Sequence, residues 1–115
     1  EPGASGLELL LSAGLKWGQD EGLSLASTLA HMSSEPARVL GPAIGTLAES
    51  AGRLVEGGVG DVCVFDPGVT WQVDARQLRS QGRHTPFDFS SSGMALPGRV
   101  RFTLVAGSIA FEADA

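Results

Sequence analysis

The apolar residues of this chain change period about halfway along, and that change limits the folds open to it. Up to Gly41 they recur at helical spacing. From Gly52 they alternate, or run in short apolar blocks between Gly and Pro. Leu7, Leu10, Leu11, Gly14 and Leu15 share one helical face, and Gly22 is placed to end that helix. Ser24 suits the N-cap of a second helix with the stripe Leu25, Ala26, Leu29 and Ala30. A short third helix has Pro36 in its first turn, Ala37, Val39 and Leu40 inside, and Gly41 closing it.

Pro42 breaks that helix. Residues 42–51 form a connector in which Thr46 to Ser50 adds a turn of helix. Gly57, Gly58 and Gly60 are turn signals. Val62-Cys63-Val64-Phe65 is apolar on both faces, the pattern of a strand covered on both sides. Asp66-Pro67-Gly68 reads as a turn, Thr70 to Val73 as a further strand, and Asp74 as the cap of a short helix through Leu78. Residues 80–97 read as a long polar loop around Thr85-Pro86-Phe87. Arg99 to Val105 alternates, Ala106-Gly107 turns, and Ser108 to Glu112 returns, which predicts a hairpin.

With 115 residues the chain has material for one ordinary domain. At 43% hydrophobic and 18% charged residues it is globular in composition. A net charge of -5 argues against a phosphate-backbone binder, so no nucleic-acid partner is expected. The single cysteine, Cys63, excludes an internal disulfide and a thiolate cluster for zinc, and fits a reducing, cytoplasmic compartment. No apolar run approaches a membrane span. The opening Glu1-Pro2-Gly3 lacks the pattern of a signal peptide. It is expected to begin within something longer, or at a processed N-terminus. Leu9 and Trp17 lie outside the main stripe of the first helix, and the Val62–Phe65 strand wants two-sided cover; both expect more protein than these residues supply.

Five stretches, in order, resemble one family. Pro2-Gly3-Ala4-Ser5-Gly6-Leu7-Glu8 is similar to the loop that follows the last metal-binding strand of dihydroorotases. Ser34 to Gly41 resembles their "Asn-Pro-Ala-Arg-Ile-Leu-Gly" helix start. Gly52 to Pro67 looks like the amidohydrolase stretch "Gly-x-Leu-x-x-Gly-x-x-Ala-Asp-Leu-Val-Val-Phe-Asp". Thr85-Pro86-Phe87, then Gly98-Arg99-Val100 with Val105-Ala106-Gly107, match the family's ending. The Thr-Pro-Phe and Trp-x-Val pieces favour dihydroorotase over other amidohydrolases.

The resemblance implies an α/β parent, a TIM-type barrel plus a small β-sandwich built from both chain ends. Residues 1–41 would be the last barrel helices, 42–51 a connector, and 52–115 the C-terminal half of the sandwich. The implied reaction is the interconversion of carbamoyl aspartate and dihydroorotate in pyrimidine biosynthesis, with zinc polarising the amide carbonyl and supplying hydroxide. The family's metal ligands lie upstream of the Pro2–Glu8 loop, so no metal-binding or catalytic residue is carried over. The backbone of Pro2 and Gly3 is the one implied substrate contact, where glycine permits close approach. Implied partners are the remainder of the same amidohydrolase chain, a second copy of the parent in a homo-oligomer, and aspartate carbamoyltransferase if the parent is a non-catalytic, dihydroorotase-like scaffold. An independent small interaction domain is the third reading. Departures from the pattern include Glu35 at the usual Asn cap, with Ser34 able to substitute, Gly60 for Ala, the longer Pro42–Ala51 connector, and His84 for Asn.

Other polar residues have plain readings. His31, grouped with Ser24, Ser27 and Thr28, is expected to be solvated, and neither it nor the distant His84 is expected to bind metal or act in catalysis. Cys63, between valines, is expected to be buried and inert. Asp61 and Asp66 suit turns and strand ends better than acid–base work. Gly57 to Gly60 precedes a strand and lacks a following Lys, so it is a turn and not a phosphate cradle. Arg99 and Arg101 mark the solvated side of a strand, and Trp17 and Trp71 are read as packing residues.

Overall fold

The computed structural model describes residues 3–114. A 3₁₀ turn at Leu7–Leu9 leads into α1, Leu10–Asp20, whose inward face is Ser12, Leu15 and Gly18. The helix ends as the glycine predicted. Gly22 has φ +73, its N–H bonds Gln19 O at 3.1 Å, and Leu23 N–H bonds Gly18 O at 2.8 Å, which closes a Schellman cap.

Helix α2, Leu25–Met32, starts at Ser24, whose hydroxyl accepts the Ser27 N–H at 3.1 Å. Thr28 departs from its expected solvated face. It is buried against Gly18, which has no side chain to exclude it, and its hydroxyl donates to Ser24 O at 2.9 Å. His31 is exposed as expected and meets the Trp17 ring edge-on, centroids 5.3 Å apart. Helix α3, Ser34–Leu40, closes at Gly41, but Ser34 is its first helical residue and not its cap. Ser33 takes the cap position, and its hydroxyl donates back to Leu29 O instead. The connector is more ordered than expected: it winds as 3₁₀ helix over Gly41–Glu49, kinked at Gly45.

Among the described residues three strands form one antiparallel sheet in the order β1, β2, β3: Val62–Trp71, Leu96–Val105 and Ser108–Glu112. Asp66-Pro67-Gly68 does not end a strand. Asp66 pairs with Arg99 and Thr70 with Pro97, so residues 67–69 bulge opposite Gly98 while β1 runs on. The Asp66 carboxylate accepts the Gly68 N–H at 2.9 Å, a local bond that replaces the missing ladder. The polar loop is shorter than its composition suggested. It contains α4, Phe89–Ser92, and gives way to β2 at Leu96, because Leu96, Pro97 and Gly98 are buried against the end of β1. Val73 lies beyond β1, in an isolated bridge to Asp88.

The hairpin between β2 and β3 turns at Ala106 and Gly107, both at positive φ. Asp61 holds the turn by accepting the Ala106 N–H at 2.8 Å. Gly60 lies so close to it that a Cβ there would stand 2.8 Å from Gly107 N, which accounts for glycine in place of alanine.

The two halves share one core. Leu9 packs with Val73, Leu78 and Leu96, bordered by Trp71, Phe87 and Met94. Ser12 hydroxyl donates to Gly98 O at 2.8 Å, and the Trp71 indole N–H reaches both Ser12 hydroxyl and Gly98 O, at 3.0 and 2.9 Å. Trp71 thus couples helix to sheet as well as packing. Other apolar surfaces lie open: Leu7 is 91% exposed, Leu54 86% and Val39 80%. The two-sided cover expected for Val62–Phe65 is not supplied among the described residues, since Cys63 and Val64 are exposed.

Candidate functional site

The sequence singled out the Pro2–Gly3 backbone. Pro2 lies outside the described residues. Gly3 is exposed, at φ +86, with no heavy atom within 4 Å of where a Cβ would stand. Its conformation is one that side-chain-bearing residues rarely adopt.

Two residues on, the loop meets the sheet half. Ser5 N–H donates to His84 O at 2.7 Å, and the Ser5 hydroxyl lies where Gly82 would otherwise carry a Cβ. The Glu8 carboxylate then takes three donors: Arg79 N–H on Oε1 at 2.9 Å, and Ser80 N–H and hydroxyl on Oε2 at 2.9 and 3.0 Å. Residues 5–8 therefore run beside residues 84–79, held by the Ser5 N–H and the Glu8 carboxylate on one side and mostly by backbone groups on the other. The far segment is itself anchored. The Arg79 guanidinium sits 5.0 Å from the centroid of the Phe111 ring. Buried Thr85 accepts the Phe87 N–H through its hydroxyl at 3.1 Å, and Phe87 borders the core.

Partial desolvation pushes the Glu8 carboxyl up, but the N–H groups of Arg79 and Ser80, the Ser80 hydroxyl and the Arg79 charge outweigh it. They hold the carboxyl below its ordinary 4.5. A depressed carboxyl stabilises the fold above its unfolded value and ceases to do so as pH falls through the folded one. The stability difference between the native protein and Glu8→Gln is therefore expected to be full above pH 4.5 and to shrink below it. Urea titrations of both proteins across that range measure it; a difference independent of pH would contradict the ionised clamp.

An open cleft of about 460 Å³ lies on the other side of this contact, lined in part by Glu8, Ser12, Trp71, Arg79, Gly98 and Phe111. Gly3 does not line it. The remaining candidates stay apart. Asp61 serves the hairpin turn and Asp66 the β1 bulge already described, and Arg99 and Arg101 are exposed on β2. Cys63 is exposed rather than buried, because the sheet face around it is uncovered. Its sulfur is still partly desolvated, which pushes the thiol pKa up and disfavours the thiolate. Among the described residues no three His, Cys, Asp or Glu side chains group to hold a metal ion, and no helix is long and apolar enough to cross a membrane. Sequence reasoning missed the role of Glu8, although that residue closes the first quoted stretch. Its partners are 71 and 72 positions away, a separation that no local pattern encodes.

No family model matches the chain. Individual proteins do. The chain is 39% identical over 112 residues to a protein named dihydroorotase from Syntrophus aciditrophicus, an alignment covering 97% of this chain and 24% of that protein. It is 39% identical to a dihydroorotase-like protein of Pseudomonas aeruginosa, over 97% of this chain and 24% of the relative. With a dihydroorotase-like protein of Pseudomonas putida the identity is 40%, over 95% of this chain and 23% of the relative. The chain thus spans about a quarter of the length of the curated relatives it matches.

Proposed function

The chain is homologous, over nearly its whole length, to part of the dihydroorotases and dihydroorotase-like proteins, and on that premise we propose that it is the C-terminal portion of a cyclic amide hydrolase of this kind. The observation that carries the reading is the combination of a 97% match on this side with a 24% match on the other. The open apolar side chains of Leu7, Val39 and Leu54 support it, since they present surfaces that further protein would bury.

In this reading the parent combines a TIM-type barrel with a β-sandwich. Residues 1–41 end the barrel, 42–51 connect, and 52–115 form half of the sandwich. The parent interconverts carbamoyl aspartate and dihydroorotate for pyrimidine biosynthesis in the cytoplasm, and assembles as a homo-oligomer. This chain contributes no chemical group to the reaction. It lends the Pro2–Gly3 backbone to one side of the substrate. In this reading the zinc of the parent is held by residues upstream of the Pro2–Glu8 loop; among the described residues no three His, Cys, Asp or Glu side chains group together.

The test is intact-mass spectrometry and peptide mapping of the protein purified from its native source, followed by an assay of carbamoyl aspartate cyclisation. The expected result is a species well above 11.8 kDa that contains these peptides and forms dihydroorotate until a chelator is added. A single species of 11.8 kDa would overturn the reading in favour of an independent small interaction domain. A second reading is a dihydroorotase-like scaffold that partners aspartate carbamoyltransferase; two relatives carry the name dihydroorotase-like protein rather than dihydroorotase. A long parent that lacks cyclisation activity and co-purifies with that enzyme would select it.

A further inference from the structure

The loop from Gly3 to Gly6 has little to hold it from within. Gly3 touches nothing at its Cβ position, and Gly6 is exposed. Apart from the Leu9 N–H on Gly6 O at 3.0 Å, the hydrogen bonds that fix its path come from the sheet half, through the Ser5 N–H on His84 O and the three donors on Glu8. Both Glu8 oxygens are engaged, and two of the donors are backbone N–H groups, so the carboxylate has one orientation that satisfies them. The segment that supplies these donors cannot drift freely, because Arg79 is seated over Phe111 and Thr85 is buried beside the core.

From this geometry we infer that Glu8 is a positioning residue and that residues 79–85 form a strap that sets the Gly3–Gly6 backbone. The inference rests on the proposed reading of Gly3 as a substrate-side backbone. It assigns to the sheet half a part in substrate binding that acts through another segment, without a side chain of its own at the reacting atoms. Glu8 couples the two: its charge draws the Arg79 and Ser80 N–H groups onto the end of the loop, and the neighbouring Ser5–His84 bond follows from that alignment. The neutral amide of glutamine presents one acceptor oxygen and a donating NH2 group to a place where three donors converge, so it cannot keep all three bonds.

The experiment uses the full-length protein as native, Glu8→Gln and Ser80→Ala. Hydrogen exchange followed by mass spectrometry reads the peptide holding Ser5, and steady-state kinetics with dihydroorotate read binding and turnover. In Glu8→Gln, exchange at Ser5 should rise about tenfold or more, on the scale of a lost charge-assisted hydrogen bond. KM should rise with kcat little changed, the split left when binding common to ground and transition states is removed. Ser80→Ala, which loses one hydroxyl donor and keeps both N–H bonds, should move both readouts in the same direction by less, and serves if Glu8→Gln fails to fold. Unchanged exchange at Ser5 while residues 79–80 exchange faster would overturn the strap. Faster exchange at Ser5 with unaltered kinetics would uphold the strap and overturn the substrate role of the loop. A native protein without activity would count against the enzymatic reading alone, since the exchange arm still decides the strap.

Discussion

Gly98→Val is expected to destabilise the protein by about 2–5 kcal/mol, adding a left-handed backbone penalty to the cost of overpacking. Gly98 has φ +86, a conformation that a β-branched residue adopts only under strain. A Cβ there would stand 2.3 Å from Leu15 Cδ1, and Leu15 is 3% exposed, with little room to turn away. The same residue offers its carbonyl to Ser12 and Trp71, so a shift of the backbone also loosens the bonds that tie α1 to the sheet. The bulge opposite Gly98 fixes where that carbonyl points, and a valine cannot be relieved by sliding β1. Urea unfolding of the variant measures the loss. Measured against Leu15→Ala as the reference, Gly98→Val should lose the part due to the clash and keep the backbone part, which separates the two costs. A variant within experimental error of the native protein would refute the account.

Leu9→Ala should cost about 2–5 kcal/mol, the range for removing a buried leucine and leaving a cavity. Leu9 is 1% exposed, and its core neighbours Val73, Leu78 and Leu96 all come from the other half of the sequence. The loss therefore falls on the junction between the halves, and Leu96→Ala should be non-additive with it, because the two side chains share one cavity. Leu10, one residue on, points the other way and is 59% exposed. In the isolated chain Leu10→Ala should stay within about 0.5 kcal/mol of the native value. In a longer protein that covers this face its cost should rise, so the pair reports both on the core and on what lies beyond it. Equal effects of Leu9→Ala and Leu10→Ala in the isolated chain would contradict the placement of the core.

Much of the local structure was legible because its causes are local. Gly22 and Gly41 end helices, Ser24 caps one, Asp74 caps the short 3₁₀ turn at Ala75–Gln77, and Ala106-Gly107 turns the hairpin. Each needs only the conformational freedom of one residue or a bond to a neighbour a few positions away. Asp66-Pro67-Gly68 misled for the same reason. Its local signal is a turn, and the turn-like bond to Gly68 is present, yet pairing with β2 on both sides turned it into a bulge. Thr28 and Cys63 were misplaced because burial depends on what lies opposite: Gly18 makes room for the first, and nothing described here covers the second.

The sequence by itself determined the helix ends at Gly22 and Gly41, the Ser24 cap, the β2–β3 hairpin and the resemblance to the dihydroorotases, since these follow from periodicity, caps and a run of motifs in register. Only the tertiary structure decided that the halves share one core, that Gly98 is the junction, and that Glu8 clasps the Arg79–Ser80 turn. Those are contacts between residues about 60 to 90 positions apart in this chain, where affinity depends on distance and orientation in space, and a linear pattern carries neither.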